Sequence, residues 1–166
     1  RSYSVTGVQT CALPIYVIAC MKMNNDLERI GDLAVNIAKR VKHLTEDGRD
    51  MLLVDFTPMM DRTRHMLKEA LDSLINMDMD KALQVLNDDD EIDLYNKNIH
   101  SELKAMIKNN PAHVEYYLNL LSVSRHLERI GDYATNIAED VIYMVKGDII
   151  RHKTGTDFKE FKEKKV

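Results

Sequence analysis

The chain has 166 residues, a formal net charge of −4 and 30% charged side chains, enough length for one or two domains with a self-supporting core. It contains only 6 Gly and 3 Pro, too few for the turns of an all-β protein, while Met reaches 10 and Trp is absent. The acidic balance offers no bulk attraction for nucleic acid, and Cys11 and Cys20 form neither a disulfide framework nor a CxxC metal pair, as suits a reducing compartment.

The uncharged run Ser2–Met21 is mostly apolar only over Cys11–Met21, about half a membrane span, so no transmembrane segment is predicted. Val17-Ile18-Ala19-Cys20 resembles a lipoprotein cleavage box, but only Arg1 could supply a basic flank and a charged helix follows at once. Residues 1–14 are read as a non-native or disordered leader. Within them Val5–Ile15 is similar to translated sequencing-adapter read-through, and Pro14 suits the first turn of a helix beginning there. Over residues 15–46, Leu27, Ile30, Ala34, Ile37, Val41 and Leu44 recur at three- and four-residue steps, the stripe of a core-facing helix that Thr45-Glu46-Asp47-Gly48 ends.

Thr57-Pro58 then reads as an N-cap followed by Pro at the first helical position. The second helix turns Thr63, Leu67, Ala70, Leu71, Leu74 and Met77 inward and stops near Asp78–Asp80. A third, from Lys81 to Lys108, carries Val85, Ile92, Tyr95, Ile99, Leu103 and Met106 on one face, and Asn109-Asn110-Pro111 breaks it. The fourth runs from Ala112 to Lys146 with Gly147 as C-cap, and residues 148–166 form a charged tail. Long helices, short turns and no strand signal predict an all-α antiparallel helix bundle.

The sequence also repeats itself. Leu27-Glu-Arg-Ile-Gly-Asp-Leu-Ala-Val-Asn-Ile-Ala38 recurs as Leu127-Glu-Arg-Ile-Gly-Asp-Tyr-Ala-Thr-Asn-Ile-Ala138, identical at ten of twelve positions. Duplicated units of this kind imply duplicated packing. Two predicted helices precede the second copy and none precedes the first.

A helical wheel places Ile130, Ala134, Ile137, Ala138 and Val141 within about 80° of Leu127, with Gly131 inside that apolar face. Gly costs roughly 1 kcal/mol relative to Ala in a helix, so a close helix–helix approach is the expected compensation. Glu128, Asp132 and Asn136 fall at about 100°, 140° and 180°, a polar row bordering the core face. On the third helix, taking Ile92 as zero, Asp89, Asn96, His100 and Asp93 fall at about 60°, 40°, 80° and 100° and form a second such row. Carboxylates four residues apart repel, more so when partly desolvated. A hard cation held by clustered oxygens relieves that repulsion, and so does pairing with Arg125 and Arg129. Asp72 is a further candidate ligand. His100 reads as a boundary histidine, and Asp88, Asp90 and Glu91 read as a solvated patch beside Asp89.

Catalytic signals are thin: no Glu-x-x-His, HExxH, GxSxG or Gly-rich phosphate loop occurs. His43, His65, His113, His126 and His152 lack metal spacing, and no Arg/Lys cluster lines up with a helix N-terminus to hold phosphate. Met59, Met60, Met66 and Met77 read as core filler or a partner face.

The doubled LERIGD…NIA motif, Asp89-x-x-x-Asp93 and the ending Tyr143-Met-Val-Lys-Gly147 resemble the PhoU family of phosphate-transport regulators over about Val17 to Lys153. The resemblance implies two three-helix repeats. Residues 15–46 would be the last helix of the first repeat and residues 57–147 the complete second repeat, a chain lacking its first two helices. It further implies multinuclear metal binding by Asp89, Asp93, Glu128 and Asp132, with Glu28 and Asp32 as weaker candidates; the residue pattern itself adds Asp72 and Asn136, and iron, manganese, zinc or magnesium is the expected ion. A non-enzymatic adaptor role follows, between a phosphate ABC transporter and a sensor histidine kinase, repressing phosphate-starvation genes from the cytoplasm, without nucleic acid. An unpartnered first helix would leave an apolar stripe exposed and favour a homodimer. Two other readings of the same carboxylates are a metal-dependent phosphohydrolase and a purely structural bundle.

Overall fold

A computed structural model describes residues 7–46 and 54–146, with side chains described over 17–44 and 54–146. These residues form α1 (Gly7–Glu46), α2 (Thr57–Asn76), α3 (Met79–Asn109) and α4 (Val114–Lys146), with one 3-10 turn at Pro111–His113 and no strand among them. The all-α reading holds. The predicted tail 148–166, the Gly147 cap and the loop after Glu46 lie outside the described residues.

Capping chemistry explains the boundaries, and several differ from expectation. Thr57 does not cap α2: its own N–H donates to Asp55 Oδ1 at 2.9 Å, and Pro58 sits in the first turn. At the other end Met77 takes φ 50°, ψ 40°. Its N–H reaches Leu74 O while Asp78 N reaches Ser73 O at 2.9 Å, a left-handed cap without glycine. Asp78 then caps α3 by accepting from Asp80 N and Lys81 N at 3.0 and 3.1 Å, so α3 starts two residues before Lys81. Lys81 Nζ also reaches back to Glu69 (3.0 Å) and Asp72 (3.8 Å) on α2, fixing the tight α2–α3 hairpin. Helix α1 starts at Gly7 and runs through Pro14, upstream of the start that Pro14 suggested.

Helices α2, α3 and α4 pack on one another as a three-helix bundle, whereas α1 packs on α4 alone. Met59, Met66, Ala70, Val85, Ile92, Leu103, Leu120 and Ile137 are almost completely buried in the bundle, each large apolar side chain contributing about 1.5–3 kcal/mol. Met59 and Met66 are thus core filler as expected, but Met60 is exposed and Met77 forms the cap. An ion pair and a hydrogen bond fix the register of α1: Lys22 meets Asp140 at 2.7 Å near one end and Arg40 donates to Asn119 at 2.8 Å near the other, so the helices are antiparallel.

With one neighbour, α1 buries only a narrow seam. Ala19, Met23, Ile30, Leu33 and Leu44 are buried and Ile37 is partly so, a four-three spacing of coiled-coil type. The wider predicted stripe is corrected here: Leu27 (41% exposed), Ala34 and Val41 face away from α4, and with Val35 they leave the expected exposed apolar strip. Helix α4 has partners on several sides and buries a correspondingly wide arc from Tyr116 to Ile142.

The two repeat glycines differ in the same way. A Cβ on Gly131 would lie 3.1 Å from Ile92 Cδ1 and 3.7 Å from Asp89 Oδ1, whereas one on Gly31 would meet nothing within 4 Å. Gly131 is the predicted close approach; Gly31 is the same residue without its neighbour. Gly31→Ala is therefore expected to raise stability by about 0.5–1 kcal/mol through helix propensity alone. Gly131→Leu is expected to lower it by about 1–3 kcal/mol by overpacking against Ile92, and denaturant melts of the two variants check the contrast.

A carboxylate cluster as candidate metal centre

The antiparallel α3–α4 pair brings together the two acidic rows. Ser124 Oγ donates to Asn96 Oδ1 at 2.7 Å, setting the register, and Gly131 two turns on lies against Asp89 and Ile92. Because Gly131 has no side chain, Asp89 sits close to α4. Ile92, 1% exposed, closes the apolar side.

The electrostatics show the convergence. Burial pushes the Asp89 carboxyl up to about 6, and the charges of Asp132, Asp93, Asp90 and Glu128 push the same way. Glu128 is raised by burial, Asp132 and Asp93, and Asp132 by burial and Asp93. Arg125 and Arg129 pull Glu128 back down, and Arg129 does so for Asp132, yet both carboxyls remain above their ordinary range. Pairing with arginine therefore answers the repulsion only in part. As the side chains stand, no group of three His, Cys, Asp or Glu among the described residues is close enough to hold one ion.

The weaker candidates divide. Asn136 is half-buried one turn beyond Asp132. Asp72 stands apart from the cluster, 3.8 Å from Lys81 at the α2–α3 turn. Glu28 and Asp32 are exposed on α1, with Arg29 3.9 Å from Asp32 and open space beside Gly31. His100 is not turned to the acids: its Nε2 is buried without a partner, and burial, Lys104 and Arg125 hold it below its usual range.

Two polar anchors were invisible in the sequence. Asp88, read as part of a solvated patch, is 4% exposed, and Arg62 on α2 reaches both Asp88 (2.8 Å) and Glu91 (2.7 Å). Gln84 Nε2 donates to the same Asp88 oxygen at 2.8 Å. These contacts turn α3 so that Asp89 and Asp93 face α4. On the other side of α4, Asp140, 6% exposed, takes Lys22 on its two oxygens at 2.7 and 3.0 Å. Burial pushes that carboxyl up, and burial followed by the Asp140 charge raises neighbouring Asp26. Periodicity marks such residues only as boundary positions; their partners come from other helices.

The sequence profile of the PhoU domain matches residues 7–41 and 56–141. The chain belongs to the PhoU family. Two curated relatives are phosphate-specific transport system accessory protein PhoU homologs. That of Pseudomonas aeruginosa is 39% identical over 145 residues (87% of this chain, 60% of the relative). That of Clostridium acetobutylicum is 34% identical over 131 residues (79% of this chain, 60% of the relative). The crystal structure of PhoU from P. aeruginosa superposes with a TM-score of 0.79 at 35% identity, covering 89% of this chain and 69% of that one. The phosphate transport system regulatory protein PhoU from Streptococcus pneumoniae gives 0.73 at 28% identity, covering 83% and 65%. The chain thus spans about 60% of the length of these curated PhoU relatives. Among the described residues no helix is long and apolar enough to cross a membrane.

The raised carboxyls give a pH signature for metal-free protein. Asp89 keeps its proton to about pH 6 when folded against 3.8 unfolded, so the native state binds the extra proton between those values. Its contribution to stability is therefore lost as pH rises through that window and stays lost above it. Asp89→Asn should raise stability at pH 7 by about 1–2 kcal/mol after solvent screening and flatten the profile between pH 4 and 6. Urea unfolding in the presence of chelator measures both.

Proposed function

We propose that this PhoU-family chain regulates phosphate uptake as a non-enzymatic adaptor, and that Asp89, Asp93, Glu128 and Asp132 form a multinuclear metal site on it. The supporting observation is the mutual destabilisation of carboxylates across α3 and α4 despite two nearby arginines. An all-oxygen, four-carboxylate set suits a hard cation such as magnesium, manganese or iron; zinc, which also accepts carboxylate oxygen, completes the candidates. Side-chain rotation on the fixed helix pair would close the oxygens on an ion, which would supply the missing positive charge. Glu28 and Asp32 face open space and are not expected to bind alone.

The accessory role is carried over from the relatives, whose names place them in the phosphate-specific transport system. We extend it to a cytoplasmic adaptor between the phosphate ABC transporter and a sensor histidine kinase, acting negatively on starvation genes. The exposed apolar strip of α1 supports assembly as a homodimer.

Calorimetry and metal analysis with Mn, Fe, Zn, Ni and Mg test the centre. Saturating metal at 100 times its Kd should add about 2.7 kcal/mol of stability. Asp93→Asn/Asp132→Asn should abolish that gain, and Glu28→Gln/Asp32→Asn should leave it unchanged. Equal metal stoichiometry in the Asp93/Asp132 variant and the unaltered chain would remove the site.

A further inference from the structure

A second charged feature lies between α1 and α4, away from the carboxylates. Asn36, Lys39, Arg40, His43 and His126 line a half-open crevice of about 430 Å³. Four of these five side chains are basic and none is acidic. On the α4 wheel His126 and Glu128 are about 160° apart, so the crevice and the acidic cluster open on different sides.

The crevice is built rather than incidental. Arg40 Nη1 donates to Asn119 Oδ1 at 2.8 Å, which anchors the guanidinium on α4 and leaves the rest of its fork of donors available. His126 is half-buried, and its Nδ1 is buried without a hydrogen-bond partner. The lining therefore presents hydrogen-bond donors and positive charge with no carboxylate among its five side chains, the complement of an anion.

We propose that this α1–α4 crevice binds an oxyanion of the phosphoryl class, with Arg40 and Lys39 as its principal contacts and His126 at its floor. A planar fork beside an ammonium group fits a tetrahedral, multiply charged oxyanion better than a chloride ion or a single carboxylate. The same chemistry is presented by free inorganic phosphate and by an anionic phospholipid headgroup. The site forms only where two antiparallel helices meet, so a search for basic clusters at helix N-termini does not find it. It does not depend on the proposed metal centre.

The test uses metal-free protein in chelator. Inorganic phosphate is titrated by calorimetry at constant ionic strength set with chloride, and a flotation arm uses phosphatidylglycerol/phosphatidylcholine vesicles against pure phosphatidylcholine. Saturable phosphate binding is expected. It should weaken at least tenfold in Lys39→Gln/Arg40→Gln, weaken further on Lys39→Glu, and stay unchanged in Asp93→Asn/Asp132→Asn. Lys39 and Arg40 are exposed, and circular dichroism confirms that the variants keep their helices. Vesicle binding that requires Lys39 and Arg40, with no binding of free phosphate, would support the site with a headgroup as its source. Binding of neither probe, or binding equal in the Lys39/Arg40 variant, would overturn the proposal.

Discussion

The close approach of α3 to α4 at Gly131 is the constraint on which the rest of the structure depends. It lets Ile92 fill the bundle and at the same time presses Asp89 against a second acidic row. Apolar packing and carboxylate repulsion are thus set against each other at one contact. Burial of the core, repeated along three helices, outweighs a few partly screened like charges, so the helices stay together and the carboxyls adjust by holding protons to higher pH. The rows stay at the border of the core because their carboxylates are only partly covered; full burial of unpaired acids would cost far more.

Around this contact, pairs with opposite charge do the orienting. Arg62 takes up Asp88 and Glu91, which removes two acids from the neighbourhood and fixes the rotation of α3. Lys22 takes up Asp140 and docks α1. The acids left without such partners are the ones that gather at α3–α4. Among the described residues the two buried acids, Asp88 and Asp140, are both paired in this way. The cluster at α3–α4 is partly exposed, and its arginines compensate it only in part.

Much of this was legible from residue order alone. The 100° helical step put Asp89, Asp93, Glu128 and Asp132 on core-bordering rows, and the glycine inside an apolar face pointed to a close approach. What could not be read was interhelical. Asp88 looks solvated until Arg62 arrives from 26 residues away, and Asp140 looks like any polar neighbour of a core stripe until Lys22 pairs with it. The buried seam of α1 is narrower than its apolar stripe because Leu27, Ala34 and Val41 have helical spacing whether or not a second helix covers them. Arg40, His43 and His126 belong to no motif, and only the antiparallel register of α1 on α4 puts them in one crevice.

That register has a further consequence. Helix α1 is held along a single narrow seam, while each of the other three rests on at least two neighbours. In a bundle so built, the first helix can part from the fourth without breaking any contact among the remaining three. Detachment of α1 would dissolve the basic crevice, whose walls come from both helices, and leave the acidic pair on α3 and α4 intact. The fold therefore sets the basic crevice on a seam between two helices and the acidic rows inside a three-helix unit, so loss of the α1–α4 seam would take apart the first and spare the second.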